Sequence, residues 1–558
     1  MMLNIFRTMM ILWYLLSANT TFAYTRQDTL LGSNGDGRLW WDVKHYNLSV
    51  YLDGVTKTIA GENIIRFTVI NKPSAYMQVD LQDTLVIDSV FVYDFDTVKN
   101  AGAKNEIMVK PVKANFVKDG NVWWVYYGFA NWPVGATKEV KIYYHGKPKI
   151  AKLPPWDGGF IWGIDSMGSS WYSVACQGLG ASSWWPCKDF QADEPDDGML
   201  LSVSPKLGKM TFISNGTPQF DVIGSRINIW EVKNPINTYN ASFYGGTYIG
   251  WNDTLMGEKG KLDISYYALK HNEAKAKKQF AVTKQMLHCF EYWMGPYPFY
   301  EDGYKLVEAP FLGMEHQSAV AYGNQYKMGY LGSDRSETGV GLLFDFIIIH
   351  ETGHEWFGNN ITAADVADNW LHEGFTTYTE ALFAECAFGK EKAYAYTRGE
   401  WKNIRNDVPV IGDYGVRDDG SSDKYDKGSA VVHMIRILIN DDAKFRQLLR
   451  GLNKDFYHKI VSTKEVEDYI IRFTGLNLKP LFDQYLRTTN IPKFEWYVKK
   501  KELHYRFTNV VDGFILPLPV STAKKVTTLN VTAEWQSIPW KKGGYNIQVS
   551  SDFLVTEK

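Results

Sequence analysis

The sequence predicts a multidomain α+β fold, because its apolar pattern changes twice along 558 residues. Over residues 24–257 apolar side chains tend to recur at every second position, as in a large β-sandwich or saddle. Over 258–488 the spacing becomes mainly helical, with a few strands between. Over 489–558 the period of two returns, in a stretch that fits a small β-domain packed on the rest.

The first 23 residues are a targeting segment rather than part of that fold. Arg7 is their only charge, Met9 to Leu16 is an apolar run, and Thr21-Phe22-Ala23 offers a small-residue cleavage site. This is the pattern of a secretory signal peptide, with an apolar run too short for a lasting membrane anchor. Export to a periplasm or the exterior is therefore expected. Net charge is −2, so nothing suggests a nucleic-acid partner. The many tryptophans and tyrosines read as large aromatic cores in β-rich units.

In the N-terminal β region Tyr46, Leu48, Val50 and Leu52 alternate with polar residues. Ile64, Ile65, Phe67, Val69 and Ile70 form a second candidate strand. Of four cysteines, Cys176 and Cys187 are close enough to pair across a hairpin; the alternative is that they are free buried thiols. Past residue 258 a strand at Ile264 to Leu269 precedes a helix marked by Phe280, Thr283, Leu287, Phe290 and Met294. Leu342 to Phe357 reads as an apolar helix, Asp368 to Phe388 as another, and Ser462-Thr463-Lys464-Glu465 as a capping box. In the tail, Phe494, Trp496 and Val498 alternate, as do Leu503, Tyr505 and Phe507.

The apolar helix carries His350-Glu351-Thr352-Gly353-His354, an H-E-x-x-H motif. Residues four apart share one helix face, so both imidazoles can hold one metal ion with Glu351 beside them. A catalytic zinc site needs a third protein ligand and an open position for water. Asp365, Asp368, His372 and Glu373, all on the following segment, are candidates by residue type.

Glu373 sits in Trp370-Leu371-His372-Glu373-Gly374-Phe375, after a spacer of 18 residues, 355–372. That helix, spacer and W-L-x-E-G-F context resemble the gluzincin zinc aminopeptidases, the family of aminopeptidase N and leukotriene hydrolase. The resemblance extends to Trp356-Phe357-Gly358-Asn359, Trp185-Pro186-Cys187-Lys188-Asp189, Tyr297-Pro298-Phe299 and Tyr425-Asp426-Lys427-Gly428. It implies a thermolysin-like catalytic domain with one Zn2+ held by His350, His354 and Glu373. Glu351 is then the base that takes a proton from the attacking water and passes it to the leaving amine. Tyr425 is the implied oxyanion donor, with Tyr378 and Tyr414 its competitors by residue type. Glu380 is implied to orient a zinc-bound histidine.

An aminopeptidase needs an anion for the substrate's ammonium. The family uses the Glu of G-x-M-E-N; here Leu312-Gly313-Met314-Glu315-His316 keeps Met314 and Glu315 but replaces the first Gly and the Asn. Glu315 is the expected anchor, with Gly313 and Met314 beside the substrate and Gln177 a second amine contact. His316 is expected either to add positive charge at acidic pH or to be a packed side chain. The tail is shorter than the long helical domain of larger members, so a three-domain form with a more open site is expected. The predicted activity is removal of N-terminal residues from peptides. The rival readings are an epoxide hydrolase using Asp418 or Asp419, and a catalytically dead binding scaffold.

Overall fold

A computed structural model describes residues 24–93, 111–220, 228–522, 525–540 and 547–557. The predicted targeting segment, residues 1–23, lies outside them. Among the described residues no helix is long and apolar enough to cross a membrane.

The first large sheet has ten strands among the described residues. At its centre Trp41–Asp53 pairs antiparallel with Thr58–Val69 and parallel with Met199–Pro205. Tyr46, Leu48, Val50 and Leu52 all face inward, as the alternation requires. Aromatic rings fill the space behind: Trp40 packs on Phe67, Phe129 and Trp132 with centroids 5.3–6.5 Å apart.

A five-stranded mixed sheet follows, in the spatial order Tyr248–Gly257, Gly260–Leu269, Tyr304–Glu308, Val320–Tyr322, Gly313–Met314. Its faces belong to two different hydrophobic cores. Leu306, Val320 and Tyr322 pack with the helices that follow, whereas Val307 and Ala321 pack with the first β region. Successive side chains of a strand point to opposite faces, so one sheet can separate two cores. Its short edge strand, Gly313–Met314, is where the site assembles.

The H-E-x-x-H helix is shorter than the apolar run that predicts it. It spans Phe346–Gly353. Asp345 starts it by accepting from the N–H groups of Ile347 and Ile348. The residues before it, Val340–Leu343, form a separate 3-10 turn. Behind it lies the helix Trp370–Phe388. A third helix, Asp426–Ile439, crosses the second where Gly374 faces Gly428. A Cβ on Gly428 would lie 2.9 Å from the Cα of Gly374. Both positions must be glycine for the helices to approach so closely. The capping box at Ser462 is present and starts the helix Thr463–Thr474.

The disulfide joins Cys289 to Cys386, bridging the helices Thr283–Met294 and Trp370–Phe388. Cys176 and Cys187 are free and buried, so a hairpin pairing between them is not made. In the tail, Lys493–Lys499 and Glu502–Thr508 pair antiparallel, with Phe494 opposite Phe507.

Candidate active site

His350 and His354 project from one face of their helix, with their Nε2 atoms 3.3 Å apart. Each ring's other nitrogen is occupied. His350 Nδ1 donates to Glu380 Oε1 at 2.7 Å, and His354 Nδ1 donates to the carbonyl of Phe357 at 3.0 Å. A neutral imidazole protonated on Nδ1 carries its lone pair on Nε2. Glu373 Oε2 completes the set, 3.2 Å from His354 Nε2 and 3.7 Å from His350 Nε2. That oxygen is buried and accepts no hydrogen bond. Two lone pairs and a carboxylate oxygen converging without a donor repel one another unless a cation lies between them. Two imidazoles and a carboxylate are the ligand types zinc takes in catalytic sites, so the residues present fit zinc.

The rival third ligands are engaged elsewhere. Asp365 accepts from the N–H groups of Ala367 and Gly415, and Asp368 from Thr463 N–H and Tyr414 O–H. His372 Nε2 accepts from Ala363 N–H. Glu380, besides holding His350, accepts from Tyr396 O–H at 2.5 Å. It is fully buried and is not a solvated helix carboxylate.

Tyr425 immediately precedes the helix that crosses at Gly428, and its hydroxyl donates to Glu373 Oε1 at 2.9 Å. Its ring stacks on His350, centroid to centroid 6.0 Å. Tyr378 lies buried in the second helix, and Tyr414 sits in a loop. Of the three tyrosines, only Tyr425 bonds a member of the converging set His350, His354 and Glu373. Burial pushes the Glu351 carboxyl up to about 7, against the pull of His350 and His354.

Glu315 leaves the end of the edge strand and meets this group. Atoms of Glu315, Glu351 and His354 lie within 4.8 Å of one another. Gln177 Nε2 donates to Glu315 Oε1 at 2.6 Å, which leaves the amide oxygen as an acceptor. Gly313 lets the strand lie against the H-E-x-x-H helix, since a Cβ there would sit 2.6 Å from Glu351 Oε1. Met314 is buried at the same place and lines the cleft with Gly313.

His316 takes the second of its two expected states, a packed side chain. It is fully buried, donates from Nδ1 to Tyr244 O–H at 2.6 Å, and burial pushes its pKa down to about 3. It is a neutral packed residue and adds no charge in acid. Asp418 accepts from Tyr24 O–H and from the N–H groups of Asp413 and Gly420; Asp419 pairs with Lys424 at the cleft.

Three residues were not anticipated. Tyr239 donates to Glu315 Oε1 at 3.2 Å, and nothing in its local sequence, Asn237-Thr238-Tyr239-Asn240, marks it. Asn359 donates to the Glu315 carbonyl at 2.8 Å; it is the last residue of W-F-G-N, so the motif itself held the signal. Arg417 lines the cleft near Asp189, 3.6 Å away. Asp189 in turn accepts from Ser182 and braces the turn that carries Gln177. The W-P-C-x-D motif thus acts on the site from behind.

The comparisons agree with this geometry. Residues 279–485 match the model of the peptidase family M1 domain. Leukotriene A-4 hydrolase of Xenopus laevis is 24% identical over 326 residues, 53% of this chain and 49% of that protein. Aminopeptidase B of Mus musculus is 28% identical over 247 residues, 40% of this chain and 36% of that one. The chain thus spans half or less of the length of these curated relatives. The M1 zinc metallopeptidase of Deinococcus radiodurans has the same fold, with a TM-score of 0.65 at 19% identity over 83% of this chain and 96% of that one. A mutant of it has been solved with a Tyr-Ser-Ala substrate. Residues 279–485 thus match a peptidase family M1 domain, and the chain shares its fold with an M1 zinc metallopeptidase.

Proposed function

We propose that the protein is a zinc-dependent aminopeptidase that hydrolyses the first bond of peptides with a free N-terminus. One observation carries this reading: an amine anchor, Glu315, stands within 4.8 Å of Glu351 and of the ligand His354. The ammonium nitrogen of a peptide is two bonds, about 2.5 Å, from its first carbonyl carbon. Only one residue fits between such an anchor and the reacting centre, so the cut falls after the first residue.

His350, His354 and Glu373 hold the metal, and Glu380 keeps His350 in the required tautomer. When bound, zinc acts as a Lewis acid that lowers the pKa of water towards about 7. Glu351 takes the proton from the attacking water and delivers it to the leaving nitrogen. Tyr425 donates its O–H to the oxyanion as that charge forms. Glu315 and the amide oxygen of Gln177 accept from the ammonium, while Gly313 and Met314 flank the substrate. The Deinococcus enzyme's Tyr-Ser-Ala complex supports a peptide substrate.

Export is part of the same proposal. The Cys289–Cys386 disulfide supports it, because such bonds persist in oxidising compartments. The chain then comprises the units 24–257, 258–488 and 489–558. Purified protein is expected to cleave a free-amine peptide, to lose that activity with a chelator and regain it with zinc. Hydrolysis of the N-acetylated peptide at the same rate would exclude the reading.

A further inference from the structure

The cleft around the site, about 930 Å³, extends to a wall that neither the metal ligands nor the amine anchor uses. Pro155 and Trp156 belong to this wall, with Gly178, Leu312 and Met314 also lining the cleft. Trp156 is 60% exposed. An exposed tryptophan costs nothing remarkable by itself, but this one is held in place by a braced loop. The Asp157 carboxylate accepts from the N–H groups of Lys152 at 2.7 Å and Leu153 at 2.9 Å. Gly158 N–H donates to the carbonyl of Pro155 at 3.0 Å.

The loop is also packed onto the turn that presents the amine-binding amide. A Cβ on Gly158 would sit 2.6 Å from the Cβ of Leu179, two residues after Gln177. Trp156, two residues before Gly158, is therefore tied to the anchor's end of the cleft. A peptide's first side chain branches from the carbon bonded to its amine. Once Glu315 and Gln177 hold that amine, the first side chain starts beside this wall.

We propose that Trp156 forms the wall of the pocket for the substrate's first side chain and selects large apolar or aromatic N-terminal residues. An indole face offers a large, rigid contact to such side chains and little to a methyl group. The proposal rests on the aminopeptidase reading and deepens it.

The test is a panel of aminoacyl fluorogenic substrates on the full chain loaded with zinc. The wild type should favour phenylalanyl and leucyl over alanyl substrates. Trp156→Ala should lower the phenylalanyl-to-alanyl ratio of kcat/KM by roughly 10-fold, with Trp156→Leu between the two. Inhibition by free phenylalanine should weaken in parallel, a readout that a general loss of folded enzyme would not reproduce. A wild-type preference for alanyl substrates, or an unchanged ratio in Trp156→Ala, would overturn the proposal. Either result with chelator sensitivity and the free-amine requirement intact would leave the aminopeptidase reading standing. Loss of those two properties would remove both.

Discussion

The part of the site proposed to activate water and the part proposed to read the amine differ in how they are assembled. The first lies almost wholly on two helices, with His350 and Glu351 on one and His354 as its C-cap, and Glu373 and Glu380 on the other. Its partners are fixed by helical geometry and by the Gly374–Gly428 contact that delivers Tyr425. The second joins Gln177, Tyr239 and Glu315, the outer two of which are 138 residues apart. They meet only because one sheet separates two cores and ends its edge strand between them. Chemistry thus rests on rigid local structure, and selection of the substrate on the docking of one region against another.

Changing one carboxylate in each part would test that division. Glu351→Gln should lower kcat by roughly 100- to 10,000-fold while zinc content stays at one per chain, because it removes a base and not a ligand. Glu315→Gln should act on the other kinetic parameter, raising KM for free-amine substrates roughly 10- to 100-fold with a smaller change in kcat. Steady-state kinetics on one peptide series, with metal analysis, checks both. If Glu315→Gln lowered kcat as much as Glu351→Gln and left KM alone, the two parts would not be separable.

The same division explains what could be read from the sequence. H-E-x-x-H is legible because helical spacing converts directly into shared faces, whereas Glu373, on the next helix, stands out from Asp365, Asp368 and His372 only through the resemblance of its W-L-x-E-G-F context. The Ser462 capping box and the alternation through Tyr46 and Leu52 are legible for the same local reason. The start of the zinc-motif helix was misplaced because apolar residues continue on both sides of Asp345, while the cap that starts the helix is a single side chain. The Cys289–Cys386 pairing spans 97 residues, so no local pattern encodes it. Tyr239 and the neutral state of His316 depend on what packs against them, Glu315 in one case and Tyr244 in the other. Such facts belong to tertiary contacts.

The seam between the regions carries a test with the smallest expected effect on turnover. Glu194, from the first region, is buried and accepts from Thr362 O–H at 2.7 Å, just beyond the zinc-motif helix. Burial pushes its carboxyl up to about 7 from an ordinary 4.5, and the hydrogen bond from Thr362 only partly offsets this. The folded protein therefore binds this proton more tightly than the unfolded chain. Below the unfolded pKa both states hold the proton, and Glu194 has no pH-linked cost. Between the two values the folded state alone retains it, so stability falls as pH rises. Above about 7 the cost is complete, on the order of 3 kcal/mol for a shift of this size. Glu194→Gln keeps an acceptor for Thr362 and removes the ionisation. It should leave kcat at neutral pH close to wild type and raise thermal stability at pH 8 but not at pH 4. Melting curves across that range decide it: equal gains at both ends would show that packing, and not the buried proton, governs the seam.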